Sequence, residues 1–368
     1  MNRPLRDAST CSLLLLAGWL ASGWPVLATA ASAAAATSAN GTTHLSLAAA
    51  RDTGWQEAVI STRSLGALEE FFTTVAGYRV LWRGLSDASV SRYYQLPDRQ
   101  YREVLLGDAA GTPGLVRLVE FGAAAAITIR AAAQPWDTGG ILSLMTRSND
   151  TQAVWQAAQA LGWSAFNEPV DFDFGAVRLR NIILRGPDGV NVSVYERLEP
   201  RMPNDADLRK LRRPFNSMQS VKDLDRTRAF YIDTLGFELI NSGKYLNPSH
   251  EPNNFGMPAN IVAENPIDFA IVAPVKDSAT TVETVQLIGA EGRAVDAVAV
   301  PPNRGIVSLR YPVSSLDRVL ARLSAHQIAP YIAPRTLVLR PYGRVRSLAV
   351  RSPDGAVLEF FETLDRET

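Results

Sequence analysis

The chain has 368 residues but only one cysteine, three histidines and no net charge. Each shortage removes a class of function. A lone cysteine, Cys11, excludes a disulfide framework and any Cys-rich metal site. The 37 basic residues are matched by 37 acidic ones. Nothing electrostatic therefore points to nucleic acid or an anionic membrane as partner. The chain also lacks a Gly-rich phosphate loop, a nucleotide fingerprint and a Ser-His-Asp signature.

What is present begins at the N-terminus. Arg3 and Arg6 precede an apolar run, Ser12–Leu20, and the small residues Ala28-Thr29-Ala30 follow. That layout predicts a cleaved signal peptide over residues 1–30, with export to the periplasm or outside and no membrane association afterwards. The run is too short to span a bilayer. Residues 31–50, rich in Ala, Ser and Thr, read as a flexible leader.

Hydrophobic content is 46%, enough for a substantial core. The chain is organised around Val221–Phe237. Leu224, Thr227, Phe230, Tyr231 and Leu235 recur at helical spacing. Asp223 or Asp225 can cap the helix start, and Gly236 can end it. Extended segments flank it on both sides. Four imperfect copies of this strand–helix–strands pattern occur, and Pro-Asp-Gly turns sit at corresponding places, 187–189 and 353–355. The predicted division is 51–199, a linker over 200–213, and 214–368. Within the third copy lies a long insertion, residues 241–266, which reads either as a lid or as a surface excursion.

The stretch VKDLDRTRAFYIDTLGF resembles one module of the vicinal oxygen chelate superfamily, the glyoxalase, bleomycin-resistance and extradiol-dioxygenase group. The resemblance implies an α+β fold of four βαβββ modules forming two curled-sheet pairs. It also implies two ligand places per module, one on the first strand and one on the last. Carried over position by position, these fall on Glu57 and Glu120, on Ile141 and Ser193, on Asn216 and Gln286, and on Ser308 and Glu359. None is histidine, so the two-His iron triad of the extradiol dioxygenases is missing.

If the outer copies pair, Glu57, Glu120, Glu359 and Ser308 converge as an all-oxygen site suited to Mn, Mg or Ca. Glu57 and Glu359 would then also serve in catalysis. If neighbouring copies pair, no site holds more than two acids. Arg310 shares a face with Ser308; it can bind a substrate carboxylate or form a salt bridge with Glu57 or Glu359 in place of a metal. His250, in the insertion, is a further substrate-binding candidate. The resemblance implies a lyase or isomerase acting on a small vicinal-oxygen substrate through a divalent metal. The rival reading is a metal-free protein of the same fold that binds or sequesters a small molecule. Either could be a monomer or a homodimer.

Overall fold

The computed structural model describes residues 45–202, 210–247 and 249–364. The signal peptide expected over residues 1–30 lies outside the described residues. Four times the chain runs strand, helix, then further strands. The first run is β1 (Glu57–Ser61), α1 (Leu65–Glu70), β2 (Arg79–Leu85), a short α2 (Ala88–Tyr93), β3 (Arg102–Gly107) and β4 (Leu115–Glu120). The second is β5 (Ser143–Arg147), α3 (Thr151–Ala160), β6 (Ser164–Ala165), β7 (Val170–Phe174), β8 (Val177–Arg185) and β9 (Asn191–Glu199). The third is β10 (Asn216–Ser220), α4 (Leu224–Ala229), β11 (Glu238–Tyr245), β12 (Ile267–Ala273) and β13 (Thr281–Leu287). The last is β14 (Gly305–Pro312), α5 (Leu316–Ala325), β15 (Ile332–Leu339), β16 (Gly343–Arg351) and β17 (Val357–Thr363).

These strands form two curled sheets. The outer sheet joins the first run to the last, in the order β15-β16-β17-β14-β1-β4-β3-β2. The inner sheet joins the second and third, in the order β11-β12-β13-β10-β5-β9-β8-β6, with β7 on β8. The division expected at residues 200–213 therefore does not separate the sheets, because each takes strands from both sides of it. The seams are antiparallel: Glu57 sits opposite Arg310 between β1 and β14, and Asn216 opposite Met145 between β10 and β5.

The helices start as the capping chemistry dictates. Asp150, Asp223 and Ser315 accept the N–H of Ala153, Arg226 and Arg318, each satisfying a first-turn donor that has no partner within its helix. Past the ends of α1 and α4 the chain makes one wider turn, Phe71–Val75 and Phe230–Thr234. Gly236 follows the second with φ of 73°, a conformation that a side chain would strain.

The helices fill the space between the sheets. Phe71 stacks on Trp163 at 3.8 Å, and Phe237 meets Tyr311 at 5.7 Å, so one apolar core spans both sheets. The Pro-Asp-Gly turns tie the sheets together. Asp188 of the inner sheet's turn accepts from Thr62 at 2.8 Å and the N–H of Arg63 at 2.7 Å. Asp354 of the outer sheet's turn accepts from the N–H of Lys222 at 2.8 Å and from Thr227.

Candidate functional site

Two positions recur in every run. On the first strand, the residue seven before the helix N-cap is Glu57, Ser143, Asn216 or Ser308 (the caps being Ser64, Asp150, Asp223 and Ser315). On the last strand, one acid or amide accepts the first N–H of its helix. Glu120 takes Leu65 at 2.8 Å, Glu196 takes Thr151 at 2.9 Å, Gln286 takes Leu224 at 3.0 Å, and Glu362 takes Leu316 at 2.9 Å. Three residues earlier stand Arg117, Ser193, Glu283 and Glu359. An odd step along a strand reverses the face, so these side chains lie on the opposite, concave side.

This geometry corrects several expected ligands. Glu120 does not join Glu57 and Glu359; it faces the helix layer, capping α1 and pairing with Arg102. Gln286 has the same capping role in the third run, and the concave position there is Glu283. Ile141 precedes β5 and is buried, and Ser143 takes its place because the N-cap is Asp150. His250 lies exposed, with Nδ1 2.9 Å from the carbonyl of Ala259, and does not line the inner cavity.

In the outer sheet, Glu57, Ser308, Arg310 and Glu359 do converge, but around a guanidinium. Arg310 donates to Glu57 at 2.7 Å, to Glu359 at 3.1 Å and to the Tyr94 hydroxyl at 2.7 Å. Arg117 donates to Glu57 at 2.6 and 2.9 Å, to Glu103 at 2.8 Å and to the carbonyl of Arg340 at 2.7 Å. Tyr342 donates to Glu57 at 2.7 Å, Tyr94 to Glu359 at 2.8 Å, and Ser308 also to Glu359. The five charged side chains are at most 3% exposed. Burial pushes the Glu57 carboxyl up, but Arg117 and Arg310 outweigh it and hold the group below its ordinary value. Burial raises Glu103, and Arg117 only partly offsets this.

A divalent cation does not fit this cluster. Arg117 occupies one of the four fold positions, and Arg310 fills the space between the two remaining carboxylates. A dication would face two immovable positive charges at hydrogen-bonding distance from its own ligands. Among the described residues, no group of three or more His, Cys, Asp or Glu side chains is arranged to hold a metal ion.

The inner sheet is different: its concave face is open. A cavity of about 120 Å³ lies there, on the scale of the roughly 150 Å³ engineered cavity that admits a benzene ring. Aromatic side chains dominate its walls. Phe174 lies 5.7 Å from Phe269 and 6.3 Å from Tyr245, and Phe172 lies 6.5 Å from Tyr245. The insertion over residues 241–266 contributes Asn254 and Phe255, and its turn is fixed by Asn253, which accepts from Phe255 and Met257 and donates back to Met257.

Asn216 and Glu283 line the cavity, and Asn216 donates to Glu283 at 3.2 Å; Ser143 and Ser193, fully buried and outside the lining, share a hydrogen bond of 3.0 Å. Apolar surroundings push the Glu283 carboxyl from 4.5 up to about 7, although the Asn216 hydrogen bond favours its charged form. Tyr195 is pushed well up by burial and by the Glu283 charge. Glu283 was the residue hardest to find from sequence, since it sits unannounced in the strand TVETVQL. The usable signal was its place three residues before Gln286.

The comparisons agree with the architecture. Glyoxalase I from Zea mays superposes with a TM-score of 0.53 at 15% identity, covering 84% of this chain and 92% of that one. A candidate dioxygenase from Bacillus subtilis superposes with a TM-score of 0.51 at 12% identity, covering 86% and 87%. No protein-family model and no curated protein matches the sequence. The chain thus has the vicinal oxygen chelate fold. Its two concave faces differ: one is filled with ion pairs, and the other is open and aromatic.

Proposed function

We propose that this protein recognises a small molecule in the inner cavity without a metal. The observation that carries this reading is the contrast between the two faces. The four fold positions of the inner sheet hold Ser143, Ser193, Asn216 and Glu283, a set with one carboxyl among neutral groups. Hard divalent ions favour several anionic oxygens. The cavity above them is apolar, aromatic and roofed by the insertion, which is the usual character of a small-molecule site. A lyase or isomerase working through a metal at Glu57, Glu120 and Glu359 is the weaker reading, because Glu120 faces away and Arg310 stands between the other two. Fold alone does not choose between binding and catalysis.

Calorimetric titration of the purified protein with toluene, a neutral ligand of the cavity's size, tests this. We expect saturable one-to-one binding that a chelator leaves unchanged. Ile271→Trp should abolish it, since Ile271 lines the cavity directly opposite Glu283 across β12 and β13. Binding that needs added divalent ion, or that survives Ile271→Trp in a protein folded by circular dichroism, would overturn the reading.

A further inference from the structure

The polar groups of the inner cavity have a pattern that its walls do not explain. Arg197, on β9, lines the cavity, has a buried Nε without a hydrogen-bond partner and makes no ion pair with any described residue. Arg147, on β5, lines the same space and lies over the Phe215 ring at 4.5 Å. Two buried acceptors, Oδ1 of Asn216 and Oδ1 of Asn254, also lack partners. Asn216 itself is only 2% exposed. Buried polar atoms in folded proteins are nearly always satisfied, so each orphan asks for a partner supplied from outside.

The set discriminates among ligand charges. Arg197 makes no ion pair with any described residue and carries a buried donor without a partner, which disfavours a cation. A neutral ligand leaves that donor unmet. A dianion places its second charge against the ionised fraction of Glu283. A monoanion satisfies Arg197, and a hydrogen-bond donor elsewhere on the ligand satisfies an asparagine oxygen. The ring of Phe172, Phe174, Tyr245 and Phe269 accepts a planar apolar body between these ends, since aromatic rings pack favourably edge-to-face and offset.

We propose that the inner cavity selects a small aromatic monoanion bearing a hydrogen-bond donor, with Arg197 holding the anionic group and Asn216 or Asn254 the donor. This rests on the reading of that cavity as the binding site. Burial pushes the Glu283 carboxyl up to about 7, so near neutrality only part of it is ionised and its repulsion of a single anionic charge is reduced. The other charged or titratable groups lining the same space are Tyr195 and Arg197 from β9, Arg147 from β5 and Tyr245 from β11.

The test is calorimetric titration of the full chain with four probes: phenylacetate, 4-hydroxyphenylacetate, 2-phenylethanol and 2-phenylethylamine. We expect phenylacetate to bind at least about tenfold more tightly than the alcohol or the amine, the worth of one charge-assisted hydrogen bond. The hydroxylated acid should bind more tightly still. Arg197→Gln should erase the preference for the acid, and Arg197→Lys should retain part of it. An unchanged circular-dichroism spectrum and unfolding midpoint show that the variant is folded. Equal or tighter binding of the amine, or an acid preference that survives Arg197→Gln, overturns the proposed ligand class. If toluene binds while none of the four probes does, the class falls and the cavity reading stands. If toluene does not bind either, both fall.

Discussion

Replacing Arg310 by Met isolates the contribution of the guanidinium that fills the outer face. Its two carboxylate partners are left in different states. Glu57 keeps Arg117 and Tyr342. Glu359 keeps only the hydroxyls of Tyr94 and Ser308, at 2% side-chain exposure. Removing one partner of a buried pair, and so stranding the other charge, costs about 3–5 kcal/mol. The cost should therefore fall mainly on Glu359. Adding Glu359→Gln should recover most of it, since the amide carries no charge and can still bond both hydroxyls. Adding Glu57→Gln should recover little, because Glu359 still has no cation and Arg117 loses one of its two carboxylates. Urea unfolding followed by tryptophan fluorescence reads these differences as shifts in midpoint. A loss below about 1 kcal/mol for Arg310→Met, typical of a solvent-exposed pair, would refute the reasoning. So would a failure of Glu359→Gln to recover stability.

Two further predictions concern the acids on the two sides of the sheets. Glu283 binds its proton more tightly folded than unfolded, so the stability linked to it is full below pH 4.5 and is lost as pH rises through about 7. A carboxyl displaced that far carries roughly 3 kcal/mol at most, less where cavity water screens it. Glu283→Gln should therefore gain on wild type by about 1–3 kcal/mol between pH 5 and pH 8.5, and a difference in melting temperature that is flat across that range would contradict the assignment. Glu120→Ala should cost about 1 kcal/mol, the worth of a helix cap, and leave toluene binding intact; a loss of binding would place Glu120 in a site after all.

Much of this organisation was legible in the residues. Gly236 and Asp223 mark the ends of α4 because a left-handed glycine and a capping carboxylate have few other uses in that pattern. The convergence of Glu57, Ser308, Arg310 and Glu359 was also readable, since alternation along a strand puts Ser308 and Arg310 on one face once the outer runs pair. The position of Glu120 was not. An acid near the end of a strand looks the same whether it faces the helix or the concave side, and only the register with Arg117 decides. Glu283 and Arg117 were hidden for the converse reason. Glu283 stands among Thr, Val and Gln and Arg117 among Leu and Val, with nothing local to mark either. What makes them a cavity wall or a buried partner is the pairing of strands far apart in the chain.

The seam between β1 and β14 has a temporal consequence. Glu57 and Arg310 are 253 residues apart. At the usual 5–20 residues per second of synthesis, β1 waits roughly 10–50 s for its neighbour. During that interval an apolar strand edge is open to other chains, and a carboxylate meant for the interior has one of its two arginines missing. The second and third runs, contiguous in the chain, can close their sheet earlier. The binding face can thus be in place before the molecule locks shut, and the ion cluster forms only when the last quarter of the chain arrives.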